Sequence, residues 1–237
     1  MTALPALALC GSNLTGDAAF SCCLVLETGR FVATSPRVAT SPTGATSSAG
    51  RGDLAALAAG LCAAHGVTPA ELRQLRVDLG PGSYTGLRVA ITFVRFLQRF
   101  AVIPVLACDS MLLLADAGTA DLPAGTRLRP LLDARRGRVH CATVQLDAGR
   151  LGHVVQPAAL PFDTVAATIV PGDRFVTTKE LEARFGESLR ARGAAVLVAN
   201  GITAERLFSM QLPLTACEPA QLEPRYLIGT YADDASA

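Results

Sequence analysis

A glycine-rich segment, D-L-G-P-G-S-Y-T-G-L-R, holds the residues best suited to chemistry in the first half of the chain. A nucleophile elbow needs glycine two residues before and after its serine, but Ser83 has Pro81 and Thr85 at those places. A Walker phosphate loop needs a lysine before its hydroxyl residue, and the segment has none. A dinucleotide fingerprint would follow Gly80 and Gly82 with a third glycine, where Thr85 stands instead. The spacing therefore excludes these three kinds of site.

What remains is a sharp turn from a strand into a helix. The first two glycines supply backbone angles that other residues avoid, and Ser83 or Thr85 is placed to cap the helix. Arg88 then falls in the first turn, where the helix dipole disfavours a cation by about 0.3 to 1 kcal/mol. An acid should compensate it, and the candidates are Asp78, a carboxylate of a partner, or a nucleotide phosphate. The motif loop consists of Gly80, Pro81, Gly82, Ser83, Thr85 and Gly86.

The helix that follows is apolar over most of its circumference. On a helical wheel its polar side chains form one narrow stripe, made of Arg88, Thr92, Arg95 and Arg99. A helix packed on one sheet needs only about a third of its circumference apolar, so a second neighbour should cover the surplus. That neighbour is either another part of the chain, such as the leucine stripe of the preceding helix, or another protein. For a protein partner, the predicted contacts are Leu54, Leu57, Leu61, Leu87, Arg88, Ile91, Val94 and Arg95.

Other residues with chemical potential are scattered. The histidines at 65, 140 and 153 show no H-x-x-x-H spacing, so no metal site is predicted. Asp133, in L-L-D-A-R-R-G-R, is the best single acid of the second half, and we predict that it holds the following turn by accepting backbone hydrogen bonds. Three arginines beside it either contact RNA phosphate or are simply solvated. They are Arg135, Arg136 and Arg138.

Composition narrows the class of protein. A net charge of +1 gives no overall attraction to nucleic acid or anionic membranes, so any RNA contact must be local. No run of about 18 apolar residues occurs, and the apolar start lacks the basic leader of a signal peptide. The seven cysteines are odd in number and lack C-x-x-C spacing, which fits reduced thiols in a cytoplasm. The adjacent Cys22 and Cys23 are either redox-active or ordinary strand residues.

Both halves of the chain have the same order of predicted elements. The first half is predicted as three strands, a helix from Asp53 to His65, a strand at L-R-V-D-L and a helix after Gly86. The second half repeats this order: strands at R-L-R-P-L-L-D, R-V-H-C-A-T-V-Q-L and R-L-G-H-V-V-Q, a helix at T-T-K-E-L-E-A-R-F-G-E-S-L-R-A-R, a strand at A-A-V-L-V-A-N and a helix near I-T-A-E-R-L-F. Two copies of this order predict two α/β lobes, residues 1–104 and 105–237, facing a cleft as in actin, sugar kinases and Hsp70-type ATPases. The alternative is one irregular α/β domain.

Four segments together resemble the TsaB family, also known as YeaZ. They occur in the family's order along most of the chain, and they read G-P-G-S-Y-T-G-L-R-V-A, I-P-V-L-A-C-D-S-M-L-L-L-A, P-L-L-D-A-R-R-G-R-V-H-C-A-T-V and E-P-R-Y-L. The first segment is highly specific, and the D-A-R-R-G string supports it. Proteins of this family have two degenerate actin-like (ASKHA, ribonuclease H-like) α/β lobes, so the resemblance implies that fold, with the order βββαβα in each lobe.

The resemblance implies a role in forming threonylcarbamoyladenosine at position 37 of tRNA. Family members are not the catalyst: they bind a TsaD-type transferase through helices of the first lobe, a TsaE-type ATPase joins the assembly, and they also pair with themselves through the same surface. The resemblance therefore implies no catalytic residue, metal or cofactor, a cytoplasmic location away from membranes, and only indirect contact with tRNA. The alternatives are a divergent scaffold of the same fold that self-associates or binds another partner, and an actin-like phosphotransferase or ATPase.

Two departures from the family bear on this implication. The first strand usually ends in D-T-S, whereas Cys10 stands here in place of the aspartate that organises metal and nucleotide in actin-like ATPases. Independent ATP hydrolysis is therefore not expected. The second helix is usually rich in small residues, but here it carries Phe93, Phe96 and Phe100. Bulkier side chains change how closely a partner helix can approach.

Overall fold

The computed structural model describes residues 2–13, 18–36, 53–119 and 122–227. In chain order the first half forms β1 (Ala6–Cys10), β2 (Ala18–Leu26), β3 (Gly29–Pro36), α1 (Leu54–Ala64), β4 (Gln74–Asp78), α2 (Tyr84–Ala101), β5 (Val105–Cys108) and α3 (Ser110–Asp116). The second half forms β6 (Arg127–Asp133), β7 (Arg138–Asp147), β8 (Arg150–Pro161), α4 (Phe162–Ala166), β9 (Arg174–Thr178), α5 (Lys179–Ala191), β10 (Ala195–Ala199) and β11 (Thr215–Cys217). Short 3-10 helices lie at Pro69–Glu71, Ala204–Phe208 and Pro219–Gln221.

The strands form two mixed sheets that repeat one plan. The first sheet has the order β11-β5-β4-β1-β2-β3, and the second has the order β10-β9-β6-β7-β8. In each copy the first three strands form an antiparallel meander. The fourth strand pairs in parallel with the first, and the fifth pairs in parallel with the fourth. The predicted duplication of an α/β plan is therefore confirmed, and each copy has the order βββαβαβ. The first copy gains β5 at its end. The second gains α4 and β9 ahead of the predicted helix and strand, and its predicted last helix is only the 3-10 helix Ala204–Phe208.

The differences from the predicted elements fall on short segments. The structure contains five elements that were not predicted: strands β5, β9 and β11 and helices α3 and α4. Thr177–Thr178 form the end of β9, whereas the prediction placed them at the start of α5. Helix α2 begins at Tyr84 and therefore before Gly86. The division at residue 104 stays a prediction. Strands β5 and β11 both come after residue 104 in the chain, yet both pair within the first sheet.

Helices cover the outer faces of both sheets, and a third apolar layer lies between the sheets. Helices α1 and α2 pack on the first sheet, and α4 and α5 pack on the second. Every residue of α3 is buried in the layer between them. Strand β2 contributes to two layers, because its alternate side chains point to opposite faces. Cys22 lies in the α1–α2 layer and Cys23 in the central layer, which accounts for both cysteines as strand residues.

Helix α1 has a capped start, and helix α2 has a capped end. The Asp53 carboxylate accepts hydrogen bonds from Ala55 N and Ala56 N, which caps α1. Helix α2 ends at Val102, which adopts a left-handed φ of 47° and donates to Gln98 O. No helix among the described residues is long and apolar enough to span a bilayer.

Candidate partner-binding site

The motif loop holds the start of α2 against the end of β1. Ser83 caps α2 by accepting a hydrogen bond from Gly86 N at 3.2 Å, and its own N–H donates to Ser12 O at 2.8 Å. A Cβ on Gly82 would overlap Ser12 O, and a Cβ on Gly86 would overlap Gly11 O. Gly82 and Gly86 are therefore required by this close backbone approach, and the capping role predicted for Ser83 is confirmed.

Asp78, the last residue of β4, joins three segments beneath the motif loop. Its Oδ1 accepts from Gly11 N at 3.0 Å, and its Oδ2 accepts from Ser12 N at 3.1 Å and Ser110 Oγ at 3.3 Å. Burial raises the pKa of this carboxyl, and the hydrogen bonds partly offset that rise. Asp78, one of the candidate acids for Arg88, does not compensate it, because the carboxylate is fully buried and is bonded to the β1 loop and to α3.

Arg88 instead lies against an exposed aromatic pair. Its Nη1 donates to Tyr84 Oη at 2.7 Å, and its guanidinium carbon lies 4.9 Å from the centre of the Tyr84 ring. Tyr84 in turn stacks on Tyr226, with ring centres 4.6 Å apart. Within the described residues no carboxylate pairs with Arg88. A carboxylate or phosphate from outside the chain therefore stays a hypothesis for this arginine.

The segment E-P-R-Y-L connects the motif loop to the buried residue Asp109. Arg225 N donates to Leu79 O at 2.7 Å, and Arg225 Nη1 lies 3.4 Å from Asp109 Oδ2. Asp109 also caps α3 by accepting from Met111 N at 2.7 Å, and His153 Nε2 lies 3.6 Å from its Oδ1. Sequence reasoning missed this role, and the only signal for it was the segment's place among the family motifs.

Most of the apolar residues predicted to contact a partner are covered by the chain itself. The side chains of four of them are at most 2% exposed, and these are Leu54, Leu87, Ile91 and Val94. Leu61 is 9% exposed and Leu57 is half-buried against the same core. Arg88 and Arg95 are exposed. The buried leucines, Ile91 and Val94 pack in the core beneath the helices and are not accessible from outside the chain.

An apolar surface remains on the outer sides of α1 and α2, and we call it the α1–α2 face. On α2 it consists of Val89, Phe96 and Phe100, which are 39%, 57% and 74% exposed. On α1 every outward residue is alanine or glycine, namely Ala55, Ala56, Ala59, Gly60, Ala63 and Ala64. The chain's own core thus covers one side of α2 and leaves apolar side chains on the other.

A basic edge borders the α1–α2 face. Arg88, Arg95 and Arg99 are exposed along one side of α2, while Val89, Phe96 and Phe100 follow the other side of the exposed arc. Arg95 Nε donates to Pro219 O at 3.1 Å, which places this edge beside the C-terminal segment. Helix α2 contains no acidic residue. The whole surface therefore combines apolar and basic groups.

The end of β1 is bound directly to the segment that follows β10. Asn13 Oδ1 accepts from Ile202 N at 2.9 Å, and Asn13 Nδ2 donates to Ile202 O at 2.8 Å. Cys10 Sγ donates to the same carbonyl at 3.5 Å, and burial raises the pKa of this thiol well above its usual value. The side chain that ends β1 is therefore a buried, neutral thiol. The described residues contain no group of three acidic, histidine or cysteine side chains able to hold a metal ion.

The remaining candidates lie apart from one another. Asp133 Oδ1 accepts from Arg135 N at 2.9 Å, so its predicted role in holding the turn is confirmed. His65 packs its ring on Phe31, with centres 3.7 Å apart. His140 is buried on β7, where burial lowers its pKa to about 4. Burial also raises the pKa values of the Cys22 and Cys23 thiols to about 12, which disfavours thiolate chemistry.

The fold and the motif loop define a class of protein: a two-lobed, degenerate actin-like α/β chain. Solved structures agree, since YeaZ from Pseudomonas aeruginosa superposes with a TM-score of 0.69 at 24% identity, over 94% of this chain and 99% of that one. A protein described as having similarity to peptidase YeaZ from Pseudomonas aeruginosa gives a TM-score of 0.67 at 25% identity, over 94% of this chain and 99% of that one.

Sequence relatives narrow the class to a family. The family model described as TsaD, tRNA N6-adenosine threonylcarbamoyltransferase, matches residues 46–209, and the chain belongs to that family as a divergent member of its TsaB (YeaZ) branch. The tRNA threonylcarbamoyladenosine biosynthesis protein TsaB of Bacillus subtilis is 36% identical over 89 residues, 38% of each chain. The protein of the same name from Escherichia coli is 30% identical over 88 residues, 37% of this chain and 38% of that one. The matched region thus spans 38% of the length of either relative.

Proposed function

We propose that this chain is a non-catalytic partner of a TsaD-type transferase in the formation of threonylcarbamoyladenosine at position 37 of tRNA, and that the α1–α2 face binds the transferase. The names of the curated relatives support the pathway. The match to a family described as the transferase itself supports a partner with a related fold, since related chains often pair through equivalent surfaces.

The observation that carries this proposal is the uncovered apolar surface of α1 and α2. A helix that is apolar on all sides is normally buried, yet the outward half of α1 is exposed and carries no charge. Covering a large apolar side chain contributes roughly 1.5 to 3 kcal/mol, so Phe96 and Phe100 together offer a sizeable gain to a partner. The small residues of α1 let a partner helix approach closely, and the two phenylalanines anchor it from the side.

The basic edge adds a requirement on the partner. Arg88, Arg95 and Arg99 lie next to the apolar residues, so the best partner presents carboxylates beside an apolar strip. Self-pairing through the same face would cover the phenylalanines but would bring no acid from α2 to these arginines. We therefore propose that the transferase complex is more stable than the homodimer, and that a TsaE-type ATPase joins the former.

The residues at the end of β1 support the proposal that the chain is non-catalytic. A nucleotide-hydrolysing chain of this fold needs a carboxylate near the metal, whereas Cys10 is a buried neutral thiol that hydrogen-bonds to Ile202 O. The neighbouring carboxylate, Asp78, is bonded to two backbone N–H groups and Ser110. Substitution of Cys10 by alanine should therefore leave tRNA modification intact in a folded protein.

The test is complementation. The gene is expressed in cells that lack their own TsaB, and modified adenosine in their tRNA is measured by mass spectrometry. The proposal expects restored modification by the wild-type chain and by Cys10→Ala, and expects no nucleotide hydrolysis by the isolated chain. Nucleotide hydrolysis by the isolated wild-type chain would contradict the non-catalytic role. Failure to restore modification even when a matched transferase is co-expressed would contradict the role in the pathway.

A further inference from the structure

The turn between β6 and β7 places arginine where the backbone favours other residues. Arg135, Arg136 and Gly137 have φ values of +65°, +48° and +75°. Left-handed residues in hairpin turns are usually glycine, asparagine or aspartate, because a longer side chain adds steric strain. The neighbouring turn between β7 and β8 has only short residues at such angles, Ala148 and Gly149 at φ +46° and +75°.

This turn is held rigidly from several sides. Arg138 N donates to Arg135 O at 2.9 Å, and Ala134 N donates to Arg138 O at 3.1 Å. Asp133 Oδ1 accepts from Arg135 N, and the first residue of α4 donates its N–H to Gly137 O at 3.2 Å. The backbone of the turn is thus fixed before any ligand binds, so binding would cost little ordering.

Four arginines lie at this end of the second sheet, and we call them the basic turn. Residues 135 to 138 are all exposed, and Arg138 Nη2 bonds to Ala159 O at 2.8 Å. Arg184 of α5 joins them, with Nη1 3.6 Å from Asp133 Oδ1 and a side chain that is 47% exposed. Its guanidinium lies over the Phe185 ring at 4.7 Å, which orients it. The basic turn consists of Arg135, Arg136, Arg138 and Arg184.

We propose that the basic turn binds the phosphate backbone of tRNA. Guanidinium groups recognise phosphate by paired hydrogen bonds, and RNA helices are contacted mainly through their backbone and shape. The chain's net charge of +1 provides no general attraction, so the contact is a local one. The choice of tRNA as the ligand rests on the proposed function. The resemblance implied only indirect contact with tRNA, and this inference differs from it.

The position of the basic turn suits simultaneous binding of two partners. The basic turn lies at one end of the second sheet, whereas helices α1 and α2 pack on the first sheet. A transferase bound to α1 and α2 therefore leaves the basic turn free to contact the same tRNA substrate. A protein partner at the turn is the competing explanation, and the two differ in whether replacing the arginines weakens tRNA binding.

The experiment measures binding of an unmodified tRNA transcript to the full-length chain by fluorescence anisotropy across a salt series. Asparagine adopts left-handed angles more readily than arginine, so Arg135→Asn with Arg136→Asn removes two charges without adding backbone strain. Its thermal midpoint should match that of the wild type. The matched control is Arg150→Gln with Arg174→Gln, which removes two exposed charges at the other end of the same sheet.

We expect the asparagine variant to lose about tenfold or more in tRNA affinity at low salt. The slope of log affinity against log salt concentration should also become shallower, by the equivalent of about one to two phosphate contacts. The control should bind tRNA like the wild type. Equal binding by the asparagine variant, an equal loss in the control, or no binding by the wild type would overturn the inference. A variant that keeps tRNA binding but loses the transferase would assign the turn to a protein contact and would also overturn it. Failure of the wild type to bind the transferase would count only against the proposed function, because the RNA measurement uses the chain alone.

Discussion

Gly11 and Gly86 face each other in direct backbone contact, and this contact fixes where α2 begins. A Cβ on either residue would overlap the carbonyl oxygen of the other. The two glycines lie far apart in sequence but join the end of β1 to the first turn of α2. The same packing brings Ser83 N to Ser12 O at 2.8 Å. The position of the α1–α2 face therefore depends on a contact that no side chain makes.

The first prediction concerns Gly86→Ala. Alanine in a helix usually stabilises relative to glycine by roughly 0.5 to 1 kcal/mol, but here its Cβ would overlap Gly11 O, and we expect a net loss of about 1 to 3 kcal/mol. Gly60→Ala in α1 is the matched control, because a Cβ there meets nothing within 4 Å and should stabilise. Urea denaturation of both variants checks this. Equal stability of the two would show that the backbone contact relaxes at little cost.

The second prediction separates the two sides of α2. Ile91 is 2% exposed and Phe96 is 57% exposed. Ile91→Arg places a charge in the core and should unfold the protein or cost several kcal/mol, whereas Phe96→Arg should change stability by about 0.5 kcal/mol or less. Circular dichroism melts of both variants provide the measurement. A stable Ile91→Arg protein would mean that the apolar arc of α2 is not packed on the first sheet.

The third prediction is a loss of stability in mild acid due to His140. Burial lowers its pKa to about 4, although the charges of Asp133 and Asp109 act in the opposite direction. An unfolded histidine has a pKa of about 6.5, so unfolding takes up a proton between these values. The stability that neutral His140 confers is fully present above about pH 6.5, and it falls by roughly 2 to 3 kcal/mol as the pH drops toward 4.

Urea denaturation at pH 7 and near pH 4.5 measures this effect. His140→Gln should show a smaller decline in the free energy of unfolding between the two pH values than the wild type. His65→Gln is the control, since it leaves the environment of His140 unchanged. An identical decline in all three proteins would show that other groups, such as carboxylates, account for the acid sensitivity.

Local chemistry explains what could be predicted from the sequence. The turn at Ser83, the turn at Asp133 and the order of the main elements depend on neighbours along the chain, which sequence patterns capture. Asp78 was one candidate acid for Arg88, offered as a carboxylate of the same chain. In the folded chain Asp78 is bonded to the β1 loop and α3, and these contacts come from distant segments.

The exposed side of each helix was harder to predict for a different reason. Helix α1 is apolar all round, so its pattern does not show which side faces the sheet. In α2 the polar stripe is narrow and leaves two apolar flanks, and the sheet covers the flank that contains Ile91 and Val94. The opposite flank, with Phe96 and Phe100, became visible as the candidate surface only once the packing was known.

The most direct test of the central claim is a calorimetric titration of the matched TsaD-type transferase into this chain. The double variant Phe96→Arg with Phe100→Arg changes only the α1–α2 face, and Met210→Arg, at a side chain that is 90% exposed elsewhere, is the control. We expect the double variant to stay folded and to bind at least about 30-fold more weakly, a loss of roughly 2 kcal/mol, while Met210→Arg binds normally. Unchanged binding by a folded double variant would show that the transferase does not bind the α1–α2 face.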